Sequence, residues 1–360
     1  MLILGIESTC DETSAAIVED GRKILSNIVA SSAAMHEKYG GIVPEVAARE
    51  QIKVIIPMIG EACQVSGVRC QELDAIAIAY GPGLIGSLLI GTETARALAL
   101  AWNKPLIGVN HLVGHIYANW LMPVETPFLE QKRLNSKFPA CQSLALAGRQ
   151  IPNLPKFPLI ALVVSGGHTD LILMEKRGDF KWLGGTRDDS AGEAFDKVAR
   201  MLGLGYPGGP EIELLATSHQ GLEVSKFKLP RPMAGSGDFD FSFSGIKTAV
   251  VNRVKDEGER VKVGAIAYEF QEAVTDILVK KTLAAAKQFS AQSIVVGGGV
   301  AANSVLREKM EEAGKKNRIK IFFPPKSLSI DNGAMIAAAG FYEKNLVDPL
   351  TLRANPGLHF

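Results

Sequence analysis

Apolar residues along this chain fall into two rhythms, one of period two and one near period 3.6. The run LILGIE (residues 2–7) is short, apolar and rich in β-formers. Polar STCDETS follows, then AAIVED and the pair Asp20-Gly21. This reads as strand, polar hairpin loop, strand, turn. From residue 158 the pattern recurs in PLIALVVSGGHTDLILMEKRG, where an apolar strand, a loop of glycine and hydroxyl residues and a second apolar strand follow one another. Two such hairpins fit a duplicated domain. They also fit chance, because β-hairpins are common.

Between the hairpins the rhythm is helical. EVAAREQIKVIIPMIGEACQ (45–64) carries apolar residues at helical spacing. DAIAIAYGPGLIGSLLIGTETARALALAW (74–102) reads as a buried strand, a Gly-Pro-Gly turn and a helix opening at Leu84 to Ser87. QSIVVGGGVAANSVLREKMEEAGKK (292–316) reads as strand, triple glycine and amphipathic helix. Strands alternating with helices place the chain in the α/β class, with sheets covered by helices. Residues 125–158 mix prolines, charges and polar residues with weak periodicity, and read as a surface insertion at the junction of the halves.

Composition narrows the class. The chain has 360 residues, 47% hydrophobic and 21% charged, enough for two domains of ordinary size. The formal charge is +1, so no global field draws in nucleic acid, and an anionic partner must be met by local patches. Cys10, Cys63, Cys70 and Cys141 show no CxxC spacing, which suits a reducing compartment. The opening MLILGIESTCDET reaches acids too soon for a signal segment, and no apolar run is long enough to span a bilayer. The expectation is a cytoplasmic protein with no membrane partner.

Candidate chemistry sits at four places. In NHLVGH (110–115), His111 and His115 are four positions apart. On a helix that puts them on one face, with Cβ atoms roughly 5–6 Å apart. Such a pair can hold a metal, or it can be two ordinary histidines beside a core. Asp331, in SLSIDNGAMIAAAG (327–340), reads as a helix N-cap and as a possible third ligand. The loops VVSGGH (163–168) and VVGGGVAAN (295–303) follow apolar strands, and their glycines allow close approach of an anion to backbone N–H groups. Neither has Walker or GxGxxG spacing, and strand-to-helix turns favour glycine in any case. Asp196, on a helix between them, could accept from ribose hydroxyls or pair with Lys197 or Arg200. Glu7, Asp11 and Glu12 crowd into six residues, so their repulsion calls for a cation, a function or a solvated loop. Of the three, Glu7 is the hardest to assign to a loop, because it ends an apolar strand.

In this order, the segments GIESTCDETSAAIV, HEKYGGIVPEVAARE, GPGLIGSLLIG, NHLVGHIYA, VSGGHT, DDSAGEAFDKVARMLGLGYPGGP, FSFSGIKT, GGGVAAN and DNGAMIA resemble the TsaD (YgjD/Gcp) family. That family makes N6-threonylcarbamoyladenosine in tRNA. The resemblance implies an actin-like (ASKHA) fold of two duplicated ribonuclease-H-like domains with an active-site cleft between them. It gives a first domain at 1–112, completed by about 331–350, and a second at 113–330. It implies His111, His115 and Asp331 as metal ligands, for Fe(2+) first and Zn(2+) second. Val163, Val164, Ser165, Gly166 and Gly167 match the loop that binds threonylcarbamoyl-AMP, a site that would also take AMP, ADP or ATP. Asp196 matches the ribose-facing acid, Gly209 the glycine of the PGGP turn and Asn303 the adenine-side asparagine. Glu213 stands where the family has aspartate, and Gln51 where many relatives have histidine.

The chemistry so implied is metal-assisted acyl transfer. Asp11 or Glu12 would accept the amine proton or order the site, and the sequence does not choose between them. No covalent nucleophile is needed, Cys10 included, because the anhydride is already activated. A zinc protease is excluded in its HExxH form, since Leu112 occupies the position of the general base. A sugar kinase or chaperone-like ATPase would share the loops without requiring the two histidines. A non-catalytic scaffold would be expected to lose them or Asp331. The partners implied are tRNA and, in bacteria, a TsaB-like paralogous subunit and a TsaE-like ATPase. Basic residues for tRNA are modest: Lys132 and Arg133, and the mixed stretches Arg253 to Lys262 and Arg307 to Lys320.

Overall fold

The computed structural model describes residues 1–36, 39, 41–122, 141–143, 154–218, 228–257 and 263–360. The chain forms two compact units, one of Met1–Leu154 with Ile330–Phe360 and one of Pro155–Ser329.

The first unit is built on strands β1 (Leu2–Glu7), β2 (Glu12–Glu19), β3 (Lys23–Ser31), β4 (Ala75–Gly81), β5 (Leu106–Asn110) and β6 (Cys141–Ser143). A short strand near the far end, β12 (Leu346–Val347), also belongs to it. The sheet order is β12-β5-β4-β1-β2-β3-β6. β1, β2 and β3 run antiparallel, whereas β4 lies parallel to β1 and β5 parallel to β4. The second unit carries β7 (Leu159–Val164), β8 (Thr169–Met174), β9 (Lys181–Gly185), β10 (Ser293–Gly297) and β11 (Lys320–Phe322), in the order β11-β10-β7-β8-β9. Each unit is therefore a three-strand meander followed by two parallel strands added on the other side of its first strand. The recurrence of the hairpins in the sequence is a true duplication.

The local reasons are readable. Asp20 and Gly21 both sit at positive φ, 52° and 66°, as a two-residue I′ turn demands. β1 is buried along nearly its whole length because strands flank it and helix Gly333–Glu343 covers it. Gly5 is needed there, since a Cβ would lie 2.1 Å from the carbonyl oxygen of Gly333. Helix Pro44–Ser66 opens on proline and closes on Gly67 at φ 70°, and Ile85–Trp102 follows the Gly-Pro-Gly turn. Each unit has its own apolar core, around Leu4, Ile6, Ile17 and Ile78 in the first and around Leu162, Phe195, Phe270 and Ile277 in the second.

Three expectations change. The loop read as 8–14 is shorter, because β2 already begins at Glu12, pairing with Ser31 of β3. The expected boundary after residue 112 falls inside helix His111–Tyr117, and the units divide instead between Leu154 and Pro155. The 125–158 segment lies largely outside the described residues, as do Lys132 and Arg133, but Cys141–Ser143 pairs with β3 as an edge strand. Among the described residues no helix is long and apolar enough to cross a membrane.

Candidate functional site

Strand β5 ends at Asn110, whose side chain accepts from the Leu112 backbone N–H at 2.9 Å and caps helix His111–Tyr117. His111 opens this short helix and His115 lies one turn on, and their rings meet edge to face with centroids 4.6 Å apart. Gly114 between them admits helix Gly333–Glu343, since a Cβ there would come within 2.8 Å of Ile336 Cδ1. That second helix is capped by Asn332, which accepts from Met335 N, and not by Asp331. Asp331, one residue earlier, turns its carboxylate to the histidines. Its Oδ1 lies 3.1 Å from His115 Nε2 and 3.6 Å from His111 Nε2.

The donor set fits a divalent metal. One ligand atom from each of the three residues can be chosen so that all lie within 4.8 Å of one another. His115 is fully buried, yet neither ring nitrogen makes a hydrogen bond among the described residues; Nε2 has only the carboxylate of Asp331 at 3.1 Å, and Nδ1 has no partner. A buried imidazole so poorly satisfied is costly unless something binds it. Two imidazoles and one carboxylate form a set that holds Fe(II) or Zn(II) with positions left open. Without a metal, burial pulls the His111 proton affinity down, but the carboxylates of Glu7 and Asp331 outweigh it and hold the ring at about 9.

The acidic cluster separates. Glu7 is fully buried at the end of β1, with Oε2 2.9 Å from His111 Nδ1. Asp11 and Glu12 sit half-buried in the following loop and at the start of β2. Burial raises Glu12 well above the usual carboxylate range, with the negative charges of Asp11 and Asp331 adding to it. The Cys10 thiol is likewise pushed well up, first by burial and then by Asp11 and Asp331, so it stays protonated and is no nucleophile. Gln51 holds this loop. Its Nε2 donates to the carbonyls of Cys10 at 2.9 Å, Glu12 at 3.3 Å and Ser8 at 3.4 Å. The opposite amide orientation would set oxygen against three oxygens, so the assignment is forced.

The second unit gathers the other expected residues. The side chains of Val163 and Val164 are in the core at the end of β7, so only their backbone can meet a ligand. The following Ser165-Gly166-Gly167 turn rests on the first turn of helix Ala191–Met201: Gly192 N donates to Ser165 O at 3.1 Å and Ser190 Oγ to Gly166 O at 2.5 Å. At Gly166, Gly167, Gly209 and Gly299 an added Cβ would meet nothing within 4 Å, so these backbones are open to a ligand. Gly298 differs, with φ 96° and a Cβ position 2.3 Å from Val164 O. Half-buried Asp196 accepts from Gly208 N at 2.7 Å and so orders the start of helix Gly208–Ser218. Lys197 pairs with Asp189 and Glu193, not with Asp196.

Glu213 and Asn303 are brought together. Asn303 caps helix Ser304–Asn317 through Leu306 N, and its amide donates to Glu213 Oε2 at 3.3 Å and to Gln271 Oε1 at 2.9 Å. The longer acid at 213 also accepts from Ser304, through the backbone N–H at 3.0 Å and the hydroxyl. Gln271, buried on helix Val263–Gln288, is a member of this group that no sequence motif marked.

Comparison with known proteins adds the family. A family model described as tRNA N6-adenosine threonylcarbamoyltransferase matches residues 23–129 and 139–338. Proteins of that name from Symbiobacterium thermophilum and Moorella thermoacetica are 49% and 46% identical over 361 residues, each alignment covering 99% of this chain and 96% of the relative. Among solved structures, HypF of T. kodakarensis superposes with a TM-score of 0.57 at 14% identity, over 94% of this chain and 47% of that one. Component A of the Acidaminococcus fermentans (R)-2-hydroxyglutaryl-CoA dehydratase gives 0.53 at 14% identity, over 96% and 99%. At such identities these two likenesses speak of the fold alone, which is the actin-like one.

Proposed function

This chain belongs to the tRNA N6-adenosine threonylcarbamoyltransferase family, and from that premise we propose that it transfers a threonylcarbamoyl group from threonylcarbamoyl-AMP to N6 of the adenosine just 3′ of a tRNA anticodon. The observation that carries the reading is the buried cluster of His111, His115 and Asp331. A kinase on the same fold has no need of it.

The chemistry a divalent ion supplies when bound there, Fe(2+) first and Zn(2+) second, is polarisation of a carbonyl oxygen and neutralisation of a carboxylate. The chain's own residues do the rest. The open backbones at Gly166, Gly167, Gly209 and Gly299 receive the phosphate and sugar of the adenylate, with Ser165 and the backbone of Val163 and Val164 shaping the turn. Asp196 faces the ribose, and Glu213 and Asn303, fixed to each other, face the adenine. AMP, ADP or ATP would occupy the same place. The exocyclic amine is a weak nucleophile, so the rate comes from positioning and from stabilising the developing oxyanion. Asp11 or Glu12 accepts the amine proton or orders the site; burial, with the charges of Asp11 and Asp331, raises Glu12 well above the usual carboxylate range.

A near-neutral chain meets a polyanion by local patches, which favours help from a TsaB-like paralogous subunit and a TsaE-like ATPase. The tRNA substrate carries with it a cytoplasmic location. The test is reconstitution: incubate the chain with threonylcarbamoyl-AMP, tRNA and those subunits, digest, and seek the modified nucleoside by mass. Its absence in every combination, with the adenylate intact, would sink the reading, and phosphoryl transfer from ATP to a sugar would replace it with the kinase.

A further inference from the structure

His111 is gripped from behind. Its Nε2 is directed towards Asp331 Oδ1 at 3.6 Å, while its Nδ1 lies 2.9 Å from Glu7 Oε2 and 3.2 Å from Thr9 Oγ1. Glu7 is wholly buried, and its other oxygen, Oε1, accepts from Thr9 N at 2.6 Å. Both carboxylate oxygens are thus committed, one to the backbone two residues on and one to the ring. His115 is not treated in this way, since its Nδ1 has no hydrogen-bond partner among the described residues. Burying a carboxylate costs several kcal/mol unless it is paired, so an acid kept at the end of β1 points to a task.

We propose that Glu7 is the positioning residue for His111. By accepting Nδ1–H it fixes the tautomer that leaves the Nε2 lone pair facing Asp331, and it locks the ring plane. This inference rests on the metal-binding reading of the cluster and goes beyond it, because Glu7 lies outside the ligand set and acts through His111. It also accounts for the acid at the end of an apolar strand. The Thr9 contact makes the orientation one-way. In a Glu7→Gln variant that keeps the bond from Thr9 N, the amide NH2 faces Nδ1 and donates to it. The ring proton must then sit on Nε2, the atom the metal needs.

The experiment uses the full chain and Co(2+) as the probe, whose visible spectrum reports its ligands. Wild type, Glu7→Gln, Glu7→Asp and His111→Ala are titrated against a competing chelator, with circular dichroism on each to verify folding. Glu7→Gln should bind Co(2+) about 10–100-fold more weakly, with an altered visible band. Glu7→Asp should recover part of both. A folded Glu7→Gln with wild-type affinity and spectrum overturns the proposal while leaving the metal reading intact. A wild type without Co(2+) affinity, or a His111→Ala that binds as wild type does, overturns the metal reading and this one with it. Should Glu7→Gln fail to fold, nitrogen-15 spectra of the zinc-loaded wild type decide alone. A proton on His111 Nδ1 supports the role of Glu7, and one on Nε2 refutes it.

Discussion

A metal held by His111, His115 and Asp331 would tie helix His111–Tyr117 to the residue that precedes helix Gly333–Glu343, and so should stabilise the first unit by mass action. The size follows from linkage. At a free metal concentration a hundredfold above its dissociation constant, a site absent from the unfolded chain adds about 2.7 kcal/mol. For a folding unit of 150–250 residues, each kcal/mol moves the midpoint by about 2–4 °C. The expected rise is therefore about 5–11 °C, and it should grow with the logarithm of the metal concentration. The perturbation is Asp331→Ala, which removes the carboxylate 3.1 Å from His115 Nε2 without touching the Asn332 cap. Thermal melts of wild type and variant, stripped and then titrated with Zn(2+), are the assay. The variant should lose the metal-dependent rise. Its response to AMP should survive, because Gly166, Gly167 and Gly299 belong to the other unit. A wild-type midpoint that ignores metal, or a variant that responds as strongly as wild type, would refute the reasoning.

Other outcomes are equally open to measurement. Gly166→Ala should fold normally, since its Cβ meets nothing within 4 Å, yet bind AMP at least tenfold more weakly by calorimetry; Gly298→Ala, strained at φ 96° and 2.3 Å from Val164 O, should lose stability as well. Gln51→Leu should cost about 1–3 kcal/mol in a urea melt, because the carbonyls of the Cys10–Glu12 loop lose their shared donor, and should slow transfer while elemental analysis finds the metal unchanged. Asp188 is held below the usual carboxylate range: burial raises it, but the hydroxyls of Ser242 and Ser244 and the amides of Phe243 and Ser244 outweigh that. Its contribution is present above the unfolded carboxylate's pKa and is lost as pH falls through the lower folded value. Exchange protection of the Phe243 and Ser244 amides should therefore persist at pH 4 and fade below that.

What the sequence disclosed was mostly local. Each half opens on an apolar strand and a glycine- or hydroxyl-rich loop, a recurrence that hinted at the duplication without separating it from chance; the matching strand orders decide it. The histidine pair was visible as a helical spacing, though only distant Asp331 makes it a cluster. What stayed hidden depends on contacts that leave no local trace. The CDET stretch looks like loop, yet Glu12 and Thr13 are paired by β3, a strand whose mixed pattern gave it no outline of its own. The cap at Asn332 and the histidine-facing acid at Asp331 differ by one position, which propensity does not resolve. Glu7 meets His111, Gln51 meets Cys10, and Asn303 meets Gln271 across long stretches of chain. The unit boundary was misplaced because the helix of the histidines looks like a beginning but packs as part of the first unit.

The helix Gly333–Glu343 has a consequence for biosynthesis. It covers β1, β2 and β4, seated so closely that Gly5 and Gly333 meet backbone to backbone. Yet the ribosome makes it long after those strands, at about 5–20 residues per second. Throughout the synthesis of the second unit, the first sheet waits with an apolar face uncovered, and the two histidines wait without their carboxylate. The second unit is contiguous and can fold as soon as it emerges. The first, begun earlier, is completed later, so a metal held by all three ligands could bind only after Asp331 has been made, and a chaperone has its opportunity before then.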